Sequence, residues 1–231
     1  PLHAAALDAV FEIRTVLKPI EIETESIELH FPTPVLTRKF SDADSMNREL
    51  TSVIDALEHA ADKAQAPAQT VSENTTQGGF QTHLGINILE DSHPSMKRLK
   101  QEIVMPSIEH YLEQVLKVDP LFTPIEVASW AVSLGSGDWQ APHIHPNEYT
   151  LISGIYYICM PERPEPEGCL EFINPMMSSV SLGQQNASRR HRPKAAELLL
   201  FPPYYMHYVH PMRGGTKRQV IAFDVRLKTS Q

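Results

Sequence analysis

From residue 125 onward, short apolar runs recur at 125–134, 149–160, 169–173, 197–201, 205–210 and 218–227, with Gly, Pro or polar stretches between them. Such runs predict strands, and their number predicts a sandwich or barrel. The first half has a different texture. Residues 4–18 space Leu7, Val10, Phe11 and Leu17 roughly to one side and predict a short N-terminal helix. Residues 27–40 (IELHFPTPVLTRKF) alternate but are broken by Pro32 and Pro34, which predicts an edge strand or two short ones. Ser41, followed by Asp42 and Asp44, has the form of a helix N-cap. Leu50, Val53, Ile54 and Leu57 then carry an apolar face to about residue 65. Residues 66–79 predict a polar loop and 80–89 a strand. Pro94 suits the first turn of a helix that runs to about Leu116 on Leu99, Ile103, Ile108, Tyr111 and Val115. Pro106, inside it, predicts a kink or split. Helices first and strands afterwards make an α+β domain, a double-sheet jelly roll with the helices packed on one sheet. We place an N-terminal extension at 1–26 and one domain at 27–231, with helical support at 41–117 and the β core at 123–228.

Composition narrows the partners more than the fold. With 42% hydrophobic and 21% charged residues in 231, the chain is an ordinary globular one. A net charge of −8 argues against nucleic acid or an anionic membrane as the main partner. No apolar run approaches the roughly 18–20 residues of a membrane span, and no basic start followed by an apolar stretch marks a secretory signal. Two cysteines, Cys159 and Cys169, are expected as buried free thiols in a reducing cytoplasm.

The candidate chemistry begins at APHIHPNEYT, residues 141–150. On a strand, side chains two apart share a face, so His143 and His145 would deliver two imidazoles to one point. The alternative is a pair of loop histidines satisfied by backbone groups. A third imidazole could come from LLLFPPYYMHYVHP, if that strand lies antiparallel beside the first. His207 and His210 compete for the role, being three apart and so on opposite faces. Arg218 competes with Lys217 for the inside of the last strand. An arginine inside a barrel needs an anion, and a carboxylate is its bidentate partner. Trp130, Trp139 and Phe172 are expected in the core or pocket wall. His30, His59, His83, His93, His110 and His191 are expected at the surface or in local hydrogen bonds. RRHRPK (189–194) is expected at a polar hairpin tip.

The order His143-x-His145, His207, Arg218 resembles that of the 2-oxoglutarate- and Fe(II)-dependent oxygenases, in their prolyl-hydroxylase-like branch. Phe31 to Val35, Trp130, His143 to Pro146, Ser153 to Tyr157, Phe201 to Pro202 and His207 to Pro211 are similar to the pattern of a bacterial and phage group within it. The resemblance implies a double-stranded β-helix, Fe(II) held by His143, His145 and His207, and 2-oxoglutarate held by Arg218 with Tyr156 or Tyr157. It implies dioxygen as co-reactant and hydroxylation of a small-molecule or peptide substrate that the sequence does not identify, with release of succinate and CO2. No residue is assigned a catalytic role beyond binding. Most of the superfamily carries Asp or Glu where this chain has His145. Either three neutral imidazoles hold the iron, or a carboxylate is borrowed, with Glu148 the nearest in sequence. Two competing readings are a three-histidine, cupin-like dioxygenase without 2-oxoglutarate, and a jelly-roll binding module that is no enzyme.

Overall fold

The structure is a computed structural model that describes residues 32–63, 75–145, 149–175 and 187–228. The chain divides between Pro32 and Thr33, and the account below concerns the unit from Thr33 onward. The expected N-terminal helix, His30, most of the 66–79 loop and Glu148 lie outside the described residues.

Two antiparallel sheets form the β core. The larger has the order β1 (Leu36–Lys39), β9 (Glu197–Phe201), β6 (Thr150–Cys159), β11 (Arg218–Leu227), β4 (Ile125–Leu134), β3 (Phe80–Gln81). The smaller has the order β2 (Thr76–Gln77), β5 (Trp139–His143), β10 (His207–Val209), β7 (Leu170–Ile173), β8 (Ser188–His191). Strand β1, just past Pro32 and Pro34, is an edge strand.

The larger sheet is apolar on both faces, which is why its strands read as continuous apolar runs. Alternate residues of β6, β9 and β11 (Tyr156, Ile158, Leu198, Leu200, Ile221, Phe223) pack with the helices in one core cluster. Their neighbours (Ile155, Tyr157, Leu199, Phe201, Val220, Ala222) pack with Leu170, Phe172 and Val209 of the smaller sheet in another. One face of β11 therefore looks into the sandwich with the period-two set Arg218, Val220, Ala222, Asp224 and Arg226.

Helix α1 (Asp44–Lys63) buries Leu50 and Ile54 against the larger sheet. It starts at Asp44 rather than straight after Ser41, because Asp42 takes a left-handed turn with φ 57°. The second helical region joins α2 (Pro94–Arg98) and α3 (Met105–Tyr111) through wider, π-type turns at Leu99–Val104, and more follow at Leu112–Leu116. His93 caps α2 by accepting from the Ser95 amide at 3.3 Å. Pro106 falls in the first turn of α3. The predicted break is therefore a widened stretch of one helical run, since a wider turn accommodates the ring and its missing N–H.

Three expectations need correction. The strand expected at 80–89 is only Phe80–Gln81, followed by a turn and a single 3-10 turn at Ile88–Glu90. Ser188–His191 is an edge strand paired with β7, not a loop tip, and Arg190 reaches Glu171 at 2.7 Å. Trp139 is 37% exposed and belongs to no core cluster. No helix among the described residues is long and apolar enough to cross a membrane.

Candidate active site

Strand β10 runs antiparallel to β5 with His207 directly opposite His143. His145 lies two residues past His143, just beyond the end of β5, and its backbone amide is tied to the Pro203 carbonyl at 2.9 Å. The pair thus sits where a strand ends, and an anchored extended segment does what strand alternation was expected to do. Ring centroids of His143 and His207 are 4.3 Å apart, those of His145 and His207 5.3 Å. One nitrogen from each of the three rings lies within 4.8 Å of the others.

The remaining nitrogens show which ones face inward. Nδ1 of His143 donates to the Ala141 carbonyl at 2.7 Å, and Nδ1 of His207 to the Tyr205 carbonyl at 2.8 Å. A carbonyl can only accept, so both rings carry their proton on Nδ1 and keep the Nε2 lone pair free. Nδ1 of His145 meets Oδ1 of Asp224 at 2.9 Å, which fixes its tautomer in the same sense. Three imidazoles with free Nε2 lone pairs at one point are a donor set for a divalent transition metal. Burial and the neighbouring His145 push the pKa of His143 down to about 4. Burial, with His143 and His145 beside it, drives His207 well below its ordinary value. Both rings are therefore neutral at pH 7, the form a metal needs.

Aromatic side chains hold the rings. Trp130 stacks on His145 at 5.8 Å and Phe201 sets its edge against His207 at 4.9 Å. His210 points elsewhere, to Glu171 at 3.0 Å.

The cluster opens into a cavity of about 190 Å³ whose wall includes the inward face of β11, from Arg218 to Arg226. Arg218 is fully buried, and none of its three guanidinium nitrogens has a hydrogen-bond partner among the described residues. Burial lowers its pKa. Lys217 points outward to Glu58 at 2.7 Å. Of the two tyrosines expected beside the cosubstrate, Tyr157 lies under Arg218, whose guanidinium carbon is 5.3 Å from its ring centroid. The hydroxyl of Tyr157 makes no well-formed hydrogen bond among the described residues, and its nearest charged neighbour is Arg218. Tyr156 is a correction: it faces the helices, and its hydroxyl donates to Asn47 at 2.8 Å. Strand alternation allows only one of two consecutive residues inside.

Asp224 and Ser153 line the same cavity and were missed from sequence. A signal existed. Asp224 is six residues after Arg218 on one strand, an even spacing that puts both on one face.

Residues 128–224 match a family model described as "Putative 2OG-Fe(II) oxygenase". No curated protein matches the chain in sequence. Among solved structures, a Pseudomonas putida prolyl-4-hydroxylase is 13% identical over 84% of this chain and 93% of its own, with a TM-score of 0.57. HygX from Streptomyces hygroscopicus, solved with nickel and 2-oxoglutarate, is 12% identical over 84% of this chain and 83% of its own, with a TM-score of 0.54. A Trichoplax adhaerens prolyl hydroxylase, solved with a hypoxia inducible factor peptide fragment, is 15% identical over 83% of each chain, with a TM-score of 0.53. At these identities the likeness to the solved structures is one of fold: the double-stranded β-helix. The matched segment spans all three histidines, Arg218 and Asp224.

Proposed function

We infer, with the chain taken as a 2-oxoglutarate- and Fe(II)-dependent oxygenase from the match over its β core, that the cavity between the sheets hydroxylates a small-molecule or peptide substrate. His143, His145 and His207 hold the iron through Nε2, and Arg218 holds the distal carboxylate of 2-oxoglutarate. The observation that carries this reading is a pairing within one cavity: three rings with free nitrogens, and a buried guanidinium that forms no hydrogen bond among the described residues. Three protein ligands leave positions for cosubstrate and dioxygen. A buried cation needs an anion, and a planar guanidinium suits a carboxylate in two-point contact.

Bound iron and 2-oxoglutarate supply the oxidising chemistry that carries a hydroxyl group to the substrate. The chain's own residues bind, orient and exclude water. Trp130 and Phe201 pack against His145 and His207 and limit their rotation. Tyr157 supports the Arg218 cation with its ring face. The neutral state of His143 and His207 means that no proton has to leave these rings when metal enters. Leu84 and Ile144, more than a third exposed, line the cavity and suit an apolar portion of the substrate. A net charge of −8 disfavours nucleic acid as that substrate. Two free thiols suit a reducing cytoplasm.

Anaerobic titration of the Fe(II)-loaded protein with 2-oxoglutarate tests the reading. A keto acid chelated to the iron gives a visible charge-transfer band that saturates with the cosubstrate. Iron bound without that band supports instead a three-histidine dioxygenase that does without 2-oxoglutarate.

A further inference from the structure

The three candidate ligands do not receive equal support. His143 and His207 each lean on a backbone carbonyl, whereas His145 leans on a carboxylate. Asp224 is 5% exposed and shares the inward face of β11 with Val220 and Ala222, a costly place for an anion without partners. Two donors reach the same oxygen, Oδ1: the Ser153 hydroxyl at 2.9 Å and Nδ1 of His145 at 2.9 Å. Arg226 adds a longer contact, 3.9 Å to the other oxygen. Among the described residues, Asp224 is the only carboxylate in contact with any of the three rings.

We propose that Asp224 is a positioning residue for the metal site, acting through His145. Its carboxylate accepts the Nδ1 proton of His145 in a charge-assisted hydrogen bond, locks the tautomer and raises the basicity of Nε2. A site of three neutral imidazoles thereby gains an anion one hydrogen bond beyond a ligand ring. Ser153 holds the carboxylate in place from β6. The inference rests on the metal-site reading above and adds to it the source of negative charge.

The test is anaerobic Co(II) affinity, by chelator competition, for wild type, Asp224→Asn, His145→Ala and the double variant, with the fold of each metal-free protein checked by near-ultraviolet dichroism. Asp224→Asn keeps an acceptor for Nδ1 and removes the charge. It should weaken binding about 10- to 100-fold in wild type and cause no further loss once His145 is gone. Unchanged affinity, or equal loss in both backgrounds, would overturn the proposal: the first makes Asp224 only a core hydrogen-bond partner, the second makes it act without His145. A measurement that needs no variant stands beside these. In the Zn(II)-loaded wild type, long-range proton–nitrogen correlation should show His145 bound through Nε2 with Nδ1 protonated, and binding through Nδ1 would sink the idea. Wild type that binds no divalent metal overturns the site reading as well. Metal binding that ignores Asp224→Asn overturns only this inference.

Discussion

Arg218→Met asks most directly whether the buried cation belongs to a ligand or to the fold. The guanidinium is fully buried and none of its nitrogens is paired among the described residues. Among the described residues its main compensation is the Tyr157 side chain, whose ring centroid lies 5.3 Å from the guanidinium carbon. A desolvated cation–π contact contributes about 2 kcal/mol, against a desolvation cost of several kcal/mol for the ion. The cost wins, so removing the charge should leave the metal-free protein as stable as before, or more stable by about 1–4 kcal/mol. The same change should weaken 2-oxoglutarate by about 2–5 kcal/mol, the loss typical of a desolvated charge pair, or roughly 30- to 5,000-fold in Kd. Calorimetric titration of Ni(II)-loaded protein with 2-oxoglutarate gives the second quantity, and urea denaturation of metal-free protein gives the first. A variant that binds 2-oxoglutarate within about threefold of wild type while losing stability would make Arg218 a structural residue and refute the anchor.

Three further expectations rest on the same structure. Tyr156→Phe removes the hydroxyl that bonds Asn47 and should lower stability by about 1 kcal/mol with 2-oxoglutarate affinity unchanged; a clear affinity loss by calorimetry would return Tyr156 to the site. His143 has a folded pKa near 4 against an ordinary 6.5, so the unfolded chain binds the extra proton first. Metal-free stability is then full above pH 6.5 and falls as pH drops toward 4, by up to about 3 kcal/mol, and a flat denaturation midpoint across that window would contradict the burial of this ring. Gly154→Ala places a Cβ 2.3 Å from the Phe223 ring and should cost about 1–3 kcal/mol through overpacking, read as a lower Tm; an unshifted Tm would mean that β6 and β11 have room to separate.

Legibility followed the amount of apolar surface in each element. Glu197–Phe201 and Arg218–Leu227 have the bounds their apolar runs predict, because strands buried on both faces are written in continuous hydrophobics. Trp139–His143 (WQAPH) and Ser188–His191 (SRRH) carry no such run. They are strands because neighbours pair with them, β10 and β2 for the first and β7 for the second, and pairing of that kind has no local signature. The antiparallel meeting of His207 with His143 was expected as a condition, and the register supplies it. Alternation let only one of His207 and His210, and one of Arg218 and Lys217, face inward, and the structure turns His207 and Arg218 into the cavity. Alternation could also have separated Tyr157 from Tyr156, had the two been treated as neighbours on one strand. Glu148 is the carboxylate nearest in sequence, whereas among the described residues the one that touches a ring, Asp224 on His145, arrives from β11 through the sheet.

The way the imidazoles are aimed sets how this site can drift under mutation. His143 and His207 each bond the carbonyl two residues before them. Every amino acid offers that carbonyl, so substitutions at positions 141 and 205 that keep the backbone path leave both rings aimed. His145 depends on a side chain brought from a distant strand, so its aim can be lost by a single change at position 224. Two ligands are buffered against mutation and the third is exposed to it, and variation in metal preference among descendants of this sequence should enter through His145 and its partner.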